Sequence, residues 1–418
     1  MTQTTSPTKP APPRSDLAQS KIARPEFIAL LAMLMALNAL AIDIMLPAFP
    51  NILGSYAGTP DNRVQLVLTA YLVGFGFSQL LFGPLSDRFG RRAPLFFGMA
   101  IYILFAFAGA LAPSLEWLLV ARFLQGVGAA ATRTIALAVV RDTHSGRAMA
   151  STMSLIFMVF MSVPIFAPII GQIIIIGVEW QWIFVFMGVF CAGILVWAAT
   201  RMPETLLPEN RRPLTFTAVR DAFGYIFANR QSLFYGLSTA FFFGSLFSFL
   251  NVAQPIFGDV YGLGALFPLA FAGVAVLMSI TSFANSRLVL RIGQRRLAHA
   301  GLCAFAAISA LHALIALFGN PPFWLFMIFM SVTMPLFGLI GANLNSLAME
   351  PMGKIAGTAS SVFGFGQSVL GSIIGAIVGQ QFTDQIATLL VGFAVVSTTA
   401  LVCVLVAERG KLFGTTEG

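Results

Sequence analysis

Long apolar runs, each closed by a short polar segment, repeat from one end of the chain to the other. A membrane-crossing helix needs ~20 mostly apolar residues. Runs of that kind lie near 26–53, 64–86, 94–112, 115–140, 148–177 and 181–201, and again near 231–257, 264–290, 297–318, 321–348, 355–382 and 385–407. The pattern predicts twelve spans in an all-α, polytopic membrane protein. Between the sixth and seventh spans lies a long polar stretch with Pro203, Glu204, Glu209, Arg211, Arg212 and Pro213. Within it Phe216, Val219, Phe223 and Phe227 recur at helical spacing, with Arg220 and Asp221 opposite. That predicts a short amphipathic helix on the membrane surface. The expected organisation is a disordered tail (1–24), a six-helix bundle (25–201), a linker (202–229), a second six-helix bundle (230–408) and a second tail (409–418).

Composition agrees. Of 418 residues, 58% are hydrophobic and 10% charged, against ~25% charged in a soluble domain. So much apolar surface requires lipid as its solvent. The net charge of +8 does not point to nucleic acid, because the basic residues are scattered between apolar runs rather than gathered in a stripe. Cys191, Cys303 and Cys403 each sit inside an apolar run without ligand-like spacing and read as buried free thiols. No metal or cofactor is expected. Ala39-Leu40-Ala41 resembles a signal-peptide cleavage box, but the apolar run continues past it.

Orientation follows from the basic residues. Of the 24 Lys and Arg, 21 fall on one face of this map: the tail, the loops after the second, fourth and eighth spans, the linker, Lys354 and the C-terminal end. Arg63 falls on the other face, and Arg122 and Arg133 lie within the fourth span. Both termini and the linker are therefore expected in the cytoplasm of a bacterial inner membrane. The halves also repeat. Arg88-Phe89-Gly90-Arg91-Arg92 has an echo in Arg291-Ile292-Gly293 and Arg295-Arg296. The stretch from Arg147-Ala148 to Gly171-Gln172 is echoed from Lys354-Ile355 to Gly379-Gln380, again a little over 200 residues on. Parallel repeats imply a central cavity between the halves.

Gly83-Pro84-Leu85-Ser86-Asp87-Arg88-Phe89-Gly90-Arg91-Arg92 fills every position of the signature of the major facilitator superfamily, which it resembles. Gly83 admits a neighbouring helix. Asp87 can accept hydrogen bonds from the N-terminal end of a helix in the other half, Gly90 allows a tight turn, and Arg88, Arg91 and Arg92 hold the cytoplasmic surface. The resemblance implies a latch closing the cytoplasmic side. Arg122-Phe123-Leu124-Gln125-Gly126-Val127-Gly128-Ala129-Ala130 resembles the motif of proton-driven members. Asp43-Ile44-Met45-Leu46-Pro47-Ala48-Phe49-Pro50 and Val140-Arg141-Asp142 resemble the Bcr/CflA exporters of bicyclomycin and chloramphenicol. The fifth span departs from the exporter pattern, since Ala167 and Gln172 stand where glycines are usual. Pro164, Pro168 and Gly171 still predict a bendable hinge. In the second half no acid stands where Asp87 would align.

The map places one acid, Asp43, in the interior of a span, the rest falling in tails, loops or helix ends, and intramembrane charges are functional candidates by default. Arg122 and Arg133 lie eleven apart on the fourth span, nearly on one face at ~100° per residue, and Gln125 and Ala129 share that stripe. Asp43 and Arg122 each fall roughly 10 Å from the outer interface at ~1.5 Å per residue, so they can meet in the cavity wall. The expectation is that Asp43 carries the proton and Arg122 tunes it; a structural ion pair between the two is the alternative. Arg133 can equally be a packing residue reaching for the inner surface. The other polar candidates for the substrate cavity are Asn38, Asn251, Gln254, Asn343 and Asn345, because an unpaired amide in lipid is expensive. His312 reads as hydrogen-bonded packing, and the glycines after Gln125 as close helix packing rather than a dinucleotide loop.

These residues support proton-coupled export of small drug-like amphiphiles, neutral or anionic rather than multivalent cations, by a monomer in membrane lipid. Uptake or facilitated diffusion of a small metabolite is the alternative on the same fold, since fold does not fix direction. A receptor or membrane-embedded enzyme is disfavoured by the complete latch motif and by the lack of a catalytic constellation.

Overall fold

A computed structural model of the chain describes residues 23–144, 146–211 and 216–413. Most of the expected N-terminal tail, Arg212, and the side chains of Arg147, Phe216, Val219 and Lys354 lie outside the described residues. Among the described residues every regular element is helical. The first half comprises α1 (Arg24–Asp43), α2 (Phe49–Ser55), α3 (Leu66–Phe89), α4 (Arg92–Ala110), α5 (Leu115–Thr143), α6 (Gly146–Gly177) and α7 (Gln181–Arg201). In the polar segment lies α8 (Phe216–Ala228). The second half comprises α9 (Arg230–Gln254), α10 (Phe267–Ile292), α11 (Gln294–Ala316), α12 (Phe323–Thr333), α13 (Leu336–Met349), α14 (Ala356–Gln380) and α15 (Ile386–Ala407).

Among the described residues, twelve helical stretches are long and apolar enough to cross a membrane. Two are interrupted. In the first span the helix stops at Asp43, passes through a tight turn at Leu46–Ala48 and resumes as α2. Pro47 and Pro50 remove the N–H groups that would continue the ladder. In the tenth span Pro335 separates α12 from α13. By contrast α6 runs unbroken through Pro164 and Pro168. Leu104, Val196, Ile280, Phe283 and Val395 are exposed on the outer faces, as suits a protein whose solvent is lipid.

Lipid offers no hydrophobic drive between helices, so close packing must supply the contact. In the first half α5 is the axis. Gly126 sits on the carbonyl of Tyr71 in α3, and Gly74 of α3 sits on the carbonyl of Phe123 in α5. At both positions a Cβ would strike backbone rather than a side chain that can turn away. The amphipathic helix is present as α8, but its Phe223 ring packs on Phe365 of α14, with centroids 6.5 Å apart, and Ile226 is buried. Part of its apolar face is therefore covered by protein.

The halves meet along an antiparallel seam between the second and eleventh spans, and again where α6 of the fifth span packs on α10 of the eighth. At the end far from the linker, Asn62 Nδ2 donates to the Gln380 carbonyl (2.8 Å) and Gln380 Nε2 to the Asn62 carbonyl (2.6 Å). Midway, Gln79 Nε2 donates to Ser368 Oγ (3.1 Å) and the Gly364 carbonyl (3.3 Å). Near the linker end a Cβ at Gly83 would lie 3.1 Å from Ser361 Oγ. Contacts across the seam run from one end to the other, so among the described residues the halves are closed on each other along it. A cleft of about 100 Å³ remains between the halves toward the linker end.

Gly126→Ala forces α3 and α5 apart and should cost about 2 kcal/mol, within the range for overpacking. Gly193→Ala in α7, where a Cβ meets nothing within 4 Å, should be neutral or slightly stabilising. Thermal unfolding of the two variants in detergent checks the contrast.

Candidate functional site

The sequence candidates separate into three groups. The first is a polar cluster wholly inside the first half. Asn38 Nδ2 donates to Thr132 Oγ1 (3.0 Å), and Tyr71 Oη donates to Asn38 Oδ1 (3.3 Å). The Arg122 guanidinium lies 4.5 Å from the Tyr71 ring centre and 5.8 Å from that of Phe184. It donates to Gln125 Oε1 (2.8 Å) and to the carbonyls of Ala41 (2.9 Å) and Val67 (3.3 Å). Arg122 is fully buried, and carbonyl oxygens and ring faces answer its charge. The expected meeting with Asp43 is therefore not made here. The two residues do lie at one level of the bundle, since Arg122 reaches the carbonyl of Ala41 two residues before Asp43. Rotation keeps them apart, because the guanidinium points at backbone. Asp43 ends α1 buried, with no hydrogen bond or ion pair among the described residues.

The second group is internal to the second half. Asn343 Nδ2 donates to Asn285 Oδ1 (2.8 Å) and the Leu339 carbonyl (2.7 Å). Asn251 Nδ2 donates to the Phe247 carbonyl (2.8 Å), while its Oδ1 is buried without a partner. Gln254 is buried near the end of α9. His312 is buried and stacked on Phe329, with centroids 4.3 Å apart, but its Nε2 has no partner. Its packing is by ring stacking, which corrects the expected hydrogen bond.

The third group lines the cleft. Arg133 and Asn345 face each other across it, together with Gln79, Gln367, Asp87, Arg91 and Arg141. Gln367 Nε2 donates to Asn345 Oδ1 (3.2 Å). Of the nine expected cavity residues, only Arg133 and Asn345 reach this cleft.

Below the cleft the signature loop forms a knot of charge. Arg91 donates through Nε to Asp142 Oδ2 (2.7 Å) and through Nη1 to Asp87 Oδ1 (2.6 Å) and Ser86 Oγ (2.8 Å). Its side chain is only 3% exposed. Burial works against its charge, but the hydrogen bonds and charges of Asp142 and Asp87 outweigh it and hold the guanidinium above its ordinary pKa. The expectation that Asp87 binds the start of a helix in the other half is not met among the described residues, because Arg91 takes the carboxylate. Arg88 lies exposed against Phe89. Arg92 donates to the Ala199 carbonyl (2.7 Å) at the end of α7. Gly90 has φ +87°, and the Glu204 carboxylate occupies the space a Cβ would need. Glu204 accepts from the backbone N–H groups of Arg91 (2.8 Å) and Arg92 (3.1 Å), capping α4. Arg141 contacts the other half, lying 3.2 Å from where a Cβ on Gly357 would be.

Sequence reading missed Glu204 as a cap, and Gln79, Gln380 and Asn62 as the seam. The rule that picked the asparagines, polar amides inside apolar runs, applies equally to Gln79. At the expected hinge, Pro168 is buried and Gly171 packs on the carbonyl of Ile44, which ties α6 to the broken end of α1. The second-half knot is not empty either. Gly293 has φ +89°, as Gly90 does, and Arg295 is paired with Glu408 (3.3 Å) and Glu350 (3.8 Å). The acid comes from the end of α15 rather than from the loop.

The profile described as Major Facilitator Superfamily matches residues 31–376. A bicyclomycin resistance protein homolog of Haemophilus influenzae is 30% identical over 368 residues, covering 87% of this chain and 91% of that protein. A chloramphenicol resistance protein of Pseudomonas aeruginosa is 31% identical over 347 residues, covering 81% and 80% respectively. Among solved structures, a D-xylose-proton symporter superimposes with a TM-score of 0.73 over 92% of this chain and 99% of that one. At 12% identity, that likeness speaks to the fold alone.

Arg91→Ala leaves Asp87 and Asp142 facing each other. The Asp87 side chain is 40% exposed, so the cost should be about 2 kcal/mol, below the ~3–5 of a fully buried broken pair. Arg91→Lys should recover only part, because an ammonium cannot fork between two carboxylates. Unfolding midpoints in detergent rank the three proteins.

Proposed function

The chain belongs to the major facilitator superfamily, and on that premise we propose that it exports small drug-like amphiphiles in exchange for protons, by alternating access. It is a multi-pass bacterial membrane transporter of a small molecule rather than an enzyme. Export is supported by its likeness, across more than four fifths of both chains, to proteins named for chloramphenicol and bicyclomycin resistance. Proton exchange rests on one observation. Asp43 is buried at the break in the first span with no cation and no donor beside it among the described residues. A charge buried in that way is costly, so the closed arrangement suits a protonated, neutral Asp43. Opening to water on one side then lets the carboxyl load, and opening on the other lets it discharge.

In this reading Arg122 acts at second hand. Its bond to the Ala41 carbonyl fixes the last turn of α1, and so the position of Asp43. Pro164, Pro168 and Gly171 let α6 bend as the halves rock, carrying the end of α1 with them. The basic residues support an orientation with both termini and the linker in the cytoplasm. A monomer suffices, since one chain supplies both halves.

Everted membrane vesicles made acidic inside, with a pH-sensitive dye, test the proposal. Chloramphenicol or bicyclomycin should collapse the gradient with the wild type and do so at least tenfold more slowly with Asp43→Asn. If the variant matches the wild type, Asp43 does not carry the proton. If no member of a broad amphiphile panel moves protons although the protein is folded, uptake or facilitated diffusion replaces export.

A further inference from the structure

Each arginine near the heart of the first half is answered except one. Arg122 is satisfied by carbonyls, Gln125 and two rings. Arg91 is satisfied by two carboxylates. Arg133 sits on the same stripe of α5, about 16 Å nearer the linker end at ~1.5 Å per residue. It is half-buried and lines the cleft between the halves. Among the described residues it meets no acceptor, no carboxylate and no ring face.

Its surroundings extend the pattern. The other charged residues lining the cleft are Arg91, Arg141 and Asp87, and Asp87 is already held by Arg91. The lining is therefore positive on balance. The Asn345 amide, which faces the cleft, uses its oxygen to accept from Gln367 and leaves its Nδ2 donors available. The cleft volume of about 100 Å³ falls well short of the ~300–1,000 Å³ of pockets that take a drug-sized ligand, but admits a carboxylate and the first atoms behind it.

We propose that Arg133, with the Asn345 amide opposite, is the docking point for the carboxylate of a transported organic anion. This deepens the export reading and rests on it. The substrate class is a carboxylate-bearing amphiphile whose apolar body is received when the halves separate. The bidentate guanidinium suits a planar carboxylate better than a lysine would. The anion and proton sites lie at different depths of the first half, so they compete through the arrangement of the halves and not by contact. Exchange of one monoanion outward for one proton inward moves two positive charges inward per cycle, against one for a neutral substrate. Transport of a carboxylate should therefore respond more steeply to membrane potential than transport of its ester.

The test uses the purified full chain in phosphatidylcholine nanodiscs, with 2-naphthoate and methyl 2-naphthoate as probes in equilibrium binding. The wild type should bind the acid at least tenfold more tightly than the ester. Arg133→Gln should bring that ratio close to one, and Arg133→Lys should restore part of it. Unfolding midpoints establish that each variant is folded. A ratio near one in the wild type, or a ratio unchanged in Arg133→Gln, overturns the proposal. So does loss of 2-naphthoate binding when phosphatidylglycerol replaces phosphatidylcholine, because Arg133 would then hold a lipid headgroup. Asp43→Asn separates the two readings: it should keep the acid-to-ester preference while losing proton exchange. Failure of every member of the broad amphiphile panel to move protons with the wild type sinks the export reading without touching the binding ratio.

Discussion

Close approach of backbone to backbone is the constraint on which the rest of this structure depends. In lipid, a helix gains little by hiding apolar side chains, because its solvent is as apolar as they are. What it can gain is contact, and contact is closest where a glycine replaces a side chain. Gly74 and Gly126 seat α3 and α5 on each other's carbonyls. That pairing sets the rotation of α5, which in turn points Arg122 into the first half and Arg133 along the same stripe to the cleft. A shift of α5 by one residue would turn both arginines by ~100° and take them off these positions. The polar features of the first half are therefore consequences of where small residues fall.

Much of the fold was legible in the sequence because it is one-dimensional. Apolar runs, their lengths and the polar breaks between them are properties of the chain alone, and lipid leaves the backbone no option but helices. Depth was legible as well: the rise per residue put Asp43 and Arg122 at one level, and the Arg122 bond to the Ala41 carbonyl agrees. Rotation was not. Whether Asn38 or Asn343 faces a cleft or a neighbouring helix depends on how two helices are turned against each other, and no single run contains that information. Both proved to be satisfied within their own halves, by Thr132 and Tyr71 in one case and Asn285 in the other. The Asp87 partner was misjudged for the same reason: Arg91, four residues on, was nearer than any helix across the seam.

The two halves solve one problem with different residues. Each must turn sharply between its second and third spans and then start a helix whose first N–H groups lack partners. Gly90 and Gly293 make the turn with nearly the same φ. In the first half Glu204, from the end of the sixth span, caps the new helix directly. In the second half Glu408, from the end of the twelfth, instead pairs with Arg295 and accepts from Tyr235 Oη at 2.6 Å, and that hydroxyl also meets His299 Nε2 at 2.8 Å. The repeat has kept the geometry of the turn and the position of an acid at the bundle's end. It has exchanged the acid's partner from backbone to side chains. Apparent decay of a motif in the loop is thus compensated by a residue more than a hundred positions away.

The seam between the halves explains how such a molecule can move without coming apart. Its contacts are amide hydrogen bonds and close backbone approaches, with no buried ion pair among the described residues. At the far end Asn62 and Gln380 exchange two hydrogen bonds; midway Gln79 makes two more. Each contributes about 1 kcal/mol net, so either end can be released for a few kcal/mol. A ligand shifts such an equilibrium only by its difference in affinity between the arrangements, and a few kcal/mol is within reach of one docked substrate or one proton. A seam of buried salt bridges would cost more to open than either could return. The charges that do exist, Arg91 with Asp87 and Asp142, are tied inside one half, where they stiffen the body that moves rather than lock it to its partner.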